Sequence, residues 1–315
     1  MTAMNDQLHQ NINQDIDIRE LMMLFWDKKI FIFLFTSIFF TGSVIYALTA
    51  EPLYQSSSTL QIVSTNINGG GGSSPTKSLG GAASIFLGSS GSSQDYVLAT
   101  KTIYSRDFFK HLISFDGVLA QLVAYESYDA KKRELLFDPQ VYDAKNKKWL
   151  LSYNPDDTND LSYLAAYRTY KSLLEVSWSK DESEFLTLTM THPSPYFAQS
   201  FISLVIQELN LLVRQRKFEE ATKSLEYLNS QLSETRISEV RNSINQLIKS
   251  QLNTQMMSQV RKDYLLKPLD LPHIPDERVS PKRTFITIAG TVLGFIIALI
   301  IGVIHRYNFE LHPKA

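Results

Sequence analysis

Two runs of apolar, uncharged residues, 30–50 and 284–304, bracket a chain whose middle mixes apolar and polar positions as a soluble domain does. As helices rising ~1.5 Å per residue, each run is ~31 Å long and matches the ~30 Å hydrocarbon core of a bilayer. Two membrane spans are predicted. The first run follows a polar stretch, residues 1–29, and exceeds both a leader's apolar region and an ordinary core helix, so an anchor outranks those two alternatives.

Between the runs the period of the pattern changes several times. Residues 54–65 alternate over β-favouring side chains and predict a strand. Residues 68–93 are rich in Gly and Ser and predict a flexible loop. Within it, Lys77-Ser78 lacks the Gly before Lys that a phosphate-wrapping loop needs, and Ile85-Phe86-Leu87 reads as incidental packing. From 94 to about 128 apolar positions recur at threes and fours, predicting one or two helices with a break near Asp116-Gly117. Residues 129–163 are turn-rich and fit helix or loop equally. Alternation over 173–178 and 185–191 around the polar turn 180–183 predicts a hairpin. With the first strand it makes a small sheet covered by helices, an α+β domain.

Ser194-Pro195 is a helix start, and no Gly or Pro follows until Pro268. Phe218, Ala221, Leu225, Leu228 and Leu232 form an apolar stripe, continued by Val240, Ile244 and Leu247 after a polar gap at 233–236. An unbroken helix here would be ~105 Å long and would project or pair with a copy of itself. The competing reading is a helical hairpin within one chain, bent at the polar gap. Pro268, Pro272, Pro275 and Pro281 then predict an extended approach to the second span. Inside that span Gly290, Gly294, Ala298 and Gly302 form a smooth stripe for close approach of another helix or of a partner protein, with Gly42, Ser43 and Ala47 of the first span as the weaker partner face.

Charge orients the chain. Arg19, Lys28 and Lys29 precede the first span and no Lys or Arg follows until Lys77, which places both termini in the cytoplasm and residues 51–283 outside. The second span's flanks agree less well, with Arg278, Lys282 and Arg283 on the outer side. A net charge of −1 gives no support for nucleic-acid binding, and 0 Cys rules out disulfides and thiolate sites. The 6 histidines, His9, His111, His192, His273, His305 and His312, show no ligand spacing, and Asp181 with Glu184 fits a solvated turn. No catalytic, cofactor-binding or metal site is expected, and His192, between strand and helix, reads as structural.

The resulting division is a segment 1–29, a span 30–50, an α+β base 51–194, a helical arm 195–267, a Pro-rich segment 268–283, a second span 284–304 and a tail 305–315. These blocks resemble the Wzz-type chain-length determinants, the polysaccharide co-polymerases of Gram-negative inner membranes. The resemblance lies in Ile16-Asp17-Ile18-Arg19-Glu20-Leu21, Leu24-Phe25-Trp26, Pro52-Leu53-Tyr54-Gln55-Ser56-Ser57, and then Pro272, Pro275, Ser280-Pro281-Lys282-Arg283 before the Gly-striped span. It implies a two-span inner-membrane protein with a periplasmic α/β base and a long extended helix, assembled as a homo-oligomeric ring. Its implied partners are a Wzy-type polymerase, the lipid-linked glycan and membrane lipids, and its implied role is setting O-antigen or related glycan length without catalysis. Related autokinases continue past the second span into an ATPase, so no kinase in cis is expected here. The Gly-rich loop resembles inserts in capsule-export relatives, which keeps export of capsule or exopolysaccharide as the alternative. A simple anchored sensor or adhesin would need neither the Pro block nor the Gly stripe.

Overall fold

The computed structural model of the chain describes residues 26, 28–63, 92–150, 161–178 and 185–311. The loop at 68–93 falls, up to residue 91, outside the described residues, as do the turn 180–183, Asp181 and Glu184. The chain divides into two compact units, Met1–Pro52 with Val279–Ala315, and Leu53–Arg278.

The first unit is a pair of apolar helices, α1 (Lys29–Thr49) and α8 (Arg283–Leu311). Both are long and apolar enough to cross a membrane. Several of their hydroxyls bond back to their own helix: Thr41 donates to the Ser37 carbonyl, Ser43 to Phe40, Thr287 to Arg283 and Thr291 to Thr287, whereas the buried Thr36 hydroxyl has no partner among the described residues. The self-capped side chains leave no polar demand on surrounding hydrocarbon.

The second unit is built on an antiparallel sheet. Strand β1 (Leu53–Ile62) pairs with β7 (Phe185–His192) from Tyr54↔His192 to Gln61↔Phe185, and β6 (Leu174–Trp178) pairs with the far edge of β7. These are the strands the alternating pattern predicts. On its other edge β1 pairs with β8 (Leu266–Pro268), Leu60↔Pro268 and Ile62↔Leu266, giving the path β6-β7-β1-β8. Alternate residues of β1, Ser56, Ser58, Leu60 and Ile62, point into the core.

Helices α2 (Ser92–Ile103), α3 (Arg106–Ile113), α4 (Val118–Val123) and α5 (Leu161–Leu173) pack with the sheet around Phe108, Phe109, Leu112 and Leu122. The break before α4 falls where expected, at Gly117, whose φ of +77° favours a residue without Cβ. A second break, at Tyr104-Ser105, carries no Gly or Pro. There Ser105 caps α3 by accepting from the Phe108 amide, and α5 satisfies the corner's carbonyls. Tyr163 donates to Arg106 and Tyr170 to Ile103. Burial pushes the Tyr170 phenol well above its usual 10, so it remains a donor.

Residues 125–149 form two small hairpins: the helical pattern expected to reach about residue 128 ends at Val123, and beyond it the chain pairs as strands where the sequence predicts helix or loop from residue 129. Strand β2 (Tyr125–Asp129) pairs with β3 (Glu134–Phe137), and β4 (Tyr142–Asp143) pairs with β5 (Lys148–Trp149). Their turns rest on aspartates: Asp129 accepts from the Lys131 and Lys132 amides and Asp143 from those of Lys145 and Asn146.

Helix α6 (Pro195–Glu234), 40 residues or ~60 Å long, starts at the Ser194 cap as expected. By length and composition it also qualifies as a span, but 56% of its apolar window is buried, against 11% and 17% for α1 and α8. Phe197, Phe201, Val205 and Leu209 fill the core, and that accounts for its apolarity. The helix does not continue to residue 267. At Thr235 and Ile237 the backbone turns extended, and α7 (Ser238–Val260) runs back along α6. The reading of one unbroken helix is therefore corrected to the hairpin. Ala221, Leu225 and Leu228 are buried on α6 and Ile244 on α7, so most of the apolar stripe is covered within one chain, with Val240 near the bend left exposed. The Pro-rich segment is non-helical up to Lys282, as expected, and its first residue, Pro268, ends β8.

Gln255 donates to the Thr222 hydroxyl across the hairpin at 2.9 Å. In an unbroken helix these residues would be ~50 Å apart. With 0 native cysteines, T222C/Q255C treated with a short thiol crosslinker should close a loop within one chain, seen as a shifted monomer band on a gel. Crosslinked dimer without that band would show that the hairpin does not form.

Candidate functional site

Three features bear on function: the helix pair, the Pro-rich segment and the buried ionisable groups. In the helix pair, a Cβ built on Gly290 would lie 2.5 Å from Ser43 Cβ, and one on Gly294 would lie 2.4 Å from Phe39 Cβ. Real Cβ atoms do not approach so closely, so these glycines let α8 lie against α1 at backbone distance. Ala298 and Gly302 continue the buried line, facing a helix whose Ile32 and Ala47 are also buried. Gly42, named with Ser43 as a partner, has nothing within 4 Å of its Cβ position; Ser43 and Phe39 form the contact instead.

Side chains bind the Pro-rich segment to the sheet, and the residues that lead into it to α6. Ser56 donates to the His273 carbonyl at 2.8 Å and Ser58 to that of Asp270 at 2.6 Å. The amides of Leu269 and Asp270 donate to the Thr59 carbonyl. Asn210, buried on α6, donates to the Leu266 carbonyl and accepts from the amides of Leu265 and Leu266. Pro268 ends β8, Pro272 and Pro275 are buried, and Pro281 follows just before α8. A polar residue between Leu209 and Leu211 was the available signal for Asn210, shared with Gln207 and Glu208 nearby. Its partners, more than fifty residues away, were not.

Two histidines hold structural positions. His192, fully buried, donates from Nε2 to the Gln121 carbonyl at 3.0 Å and accepts at Nδ1 from the Ser194 amide at 3.1 Å. Tyr125 and Phe197 meet its ring edge-on. The imidazole thereby ties α4 to the start of α6, the local role expected of it. Burial lowers its pKa from an ordinary 6.5 to about 4. His111 on α3 meets Glu208 of α6 at 2.7 Å, a pair that spacing along the sequence does not reveal. No group of three metal-capable side chains occurs among the described residues.

Residues 14–114 match the family model described as chain length determinant protein, Wzz. The match spans the first resemblance block, α1, β1, α2 and α3, so this part of the chain is similar to the Wzz chain-length determinants. A solved structure described as a full-length bacterial polysaccharide co-polymerase is similar over 95% of this chain and 100% of its own, at 14% identity and a TM-score of 0.39. No curated protein matches the chain.

Two outcomes follow from the geometry. Gly294→Leu should destabilise the full chain in detergent by about 2 kcal/mol through overpacking, and Phe39→Ala should restore most of the lost melting temperature; a silent Gly294→Leu would refute the contact. For His192, the unfolded state takes up a proton below 6.5 while the native state stays neutral until about 4. Stability from this group is therefore full above 6.5 and lost as pH falls toward 4, by about 3 kcal/mol. Chemical unfolding at pH 7 and pH 4 should show that extra loss in the native sequence and not in His192→Gln.

Proposed function

We propose that this chain is an inner-membrane regulator of polysaccharide chain length, acting without catalysis as an oligomeric periplasmic scaffold beside a glycan polymerase. The observation that carries this reading is the Wzz match over residues 14–114. Two apolar terminal helices support the membrane placement. The cationic flank of Arg19, Lys28 and Lys29 supports cytoplasmic termini, with residues 51–283 on the periplasmic side. In this reading the division of the chain is that given by the sequence, with the arm 195–267 folded as a hairpin.

Within the scaffold, Gly290, Gly294, Ala298 and Gly302 serve to join the two spans, and the burial of Gly294, Ala298 and Gly302 favours helix packing over a polymerase contact for this stripe. Pro268, Pro272, Pro275 and Pro281 keep the approach to the second span stiff. Identical subunits, a Wzy-type polymerase and the lipid-linked glycan are the partners. The growing polymer is held against the assembled surface, and its length follows from that geometry.

Deleting the gene should shift the length distribution of the O-antigen or related surface glycan on a gel while leaving polymer present. Complete loss of polymer would count against regulation. Full-length polymer trapped inside the cell would point to export of capsule or exopolysaccharide.

A further inference from the structure

The first turns of α1 form the wall of two neighbouring grooves. One, of about 480 Å³, is lined by Lys29, Ile30, Ile32, Phe33, Thr36 and by Phe295 of α8. The other, of about 360 Å³, is lined by Lys28, Ile30, Phe31 and Leu34. Ile30 belongs to both and is the ridge between them. Each groove has one lysine, and Thr36 is the other polar residue in either wall. Lys28 and Lys29 form no ion pair among the described residues, and the Lys29 ammonium stands 5.3 Å from the centre of the Trp26 ring.

We propose that the two grooves hold one anionic phospholipid, its phosphate on Lys28 and Lys29 and its two acyl chains on either side of Ile30. The assignment rests on reading α1 as a membrane span. Lysine at the end of a span extends its ammonium to the phosphate plane, while its methylenes stay with the hydrocarbon. Two adjacent cations with no ion pair among the described residues suit a phosphodiester with a net negative headgroup better than a zwitterion, whose own ammonium repels them. Below the lysines the walls are apolar and face lipid, so hydrocarbon and not water fills them. A paired groove with a single ridge fits a two-chain lipid; a single-chain isoprenoid phosphate would fill one groove and leave its twin to bulk lipid. The aromatic at Trp26 fixes the interface depth at which the headgroup sits.

The test uses the full chain in nanodiscs of phosphatidylglycerol and phosphatidylcholine with identical acyl chains, then native mass spectrometry of the lipids retained after transfer to detergent. The native sequence should retain one phosphatidylglycerol in preference to phosphatidylcholine. Lys28→Gln and Lys29→Gln should each lower that preference about fivefold, with helical content unchanged by circular dichroism. Lyso-phosphatidylglycerol, which keeps the headgroup and loses one chain, should be retained more weakly than the two-chain lipid. Equal retention of both lipids by the native sequence, or an unchanged preference in K28Q/K29Q, overturns the site. Equal retention of the lyso form overturns the two-groove assignment, and displacement by inorganic phosphate alone marks an anion site without a lipid. Extraction of the chain by alkaline carbonate would instead refute the membrane span itself, an outcome separate from lipid choice.

Discussion

A proline-punctuated segment is poor in amide donors, yet every carbonyl it buries still needs one. Much of the soluble unit is arranged around that demand. Ser56 and Ser58 supply donors to His273 and Asp270 from positions on β1 where the alternation would otherwise place apolar side chains. Asn210 supplies one donor and a twice-used acceptor from the middle of α6. The inward face of β1 is consequently divided: Leu60 and Ile62 pack into the core, while the hydroxyl half binds backbone. Each such bond contributes only about 1 kcal/mol net, but leaving one buried partner unmet costs up to about 3 kcal/mol, so the set acts as a unit.

The helix pair follows a different rule. In lipid there is no apolar area to remove from water, so contact distance decides whether two helices stay together. Gly290 and Gly294 shorten that distance opposite Ser43 and Phe39, and Ser43 satisfies its hydroxyl on its own helix. A serine is thus tolerated at the contact because it asks nothing of its partner.

Much of this was legible in the sequence wherever the signal is local. The spans, β1, the β6–β7 hairpin, the Ser194 cap and the Gly117 break all have a period or a cap within a few residues. The bend at Thr235 and Ile237 has none, because extended φ and ψ are open to any residue and the driving force is burial of Leu225 and Leu228 under α7. The hairpins at 125–149 turn on Asp129 and Asp143 followed by Arg133 and Lys147 at positive φ, without the Gly that usually marks such turns. For the candidate site, the small-residue stripe was visible as a pattern, but its depth against Phe39 was not. The clamps at Ser56, Ser58 and Asn210 depend on partners far along the chain, which no window can contain.

Strand β1 finds its partners at very different moments in the life of the chain. It is made early, whereas β7 comes much later, β8, at Leu60↔Pro268, later still, and a short strand at Arg278–Ser280 last. Synthesis therefore leaves a nascent strand with open edges for most of the time the ribosome takes to complete the domain. The serines at 56–58 make that waiting strand a poor template for aggregation, since half of its inward face offers hydroxyls in place of hydrocarbon. The residues that later hold the proline segment also keep the unfinished protein soluble.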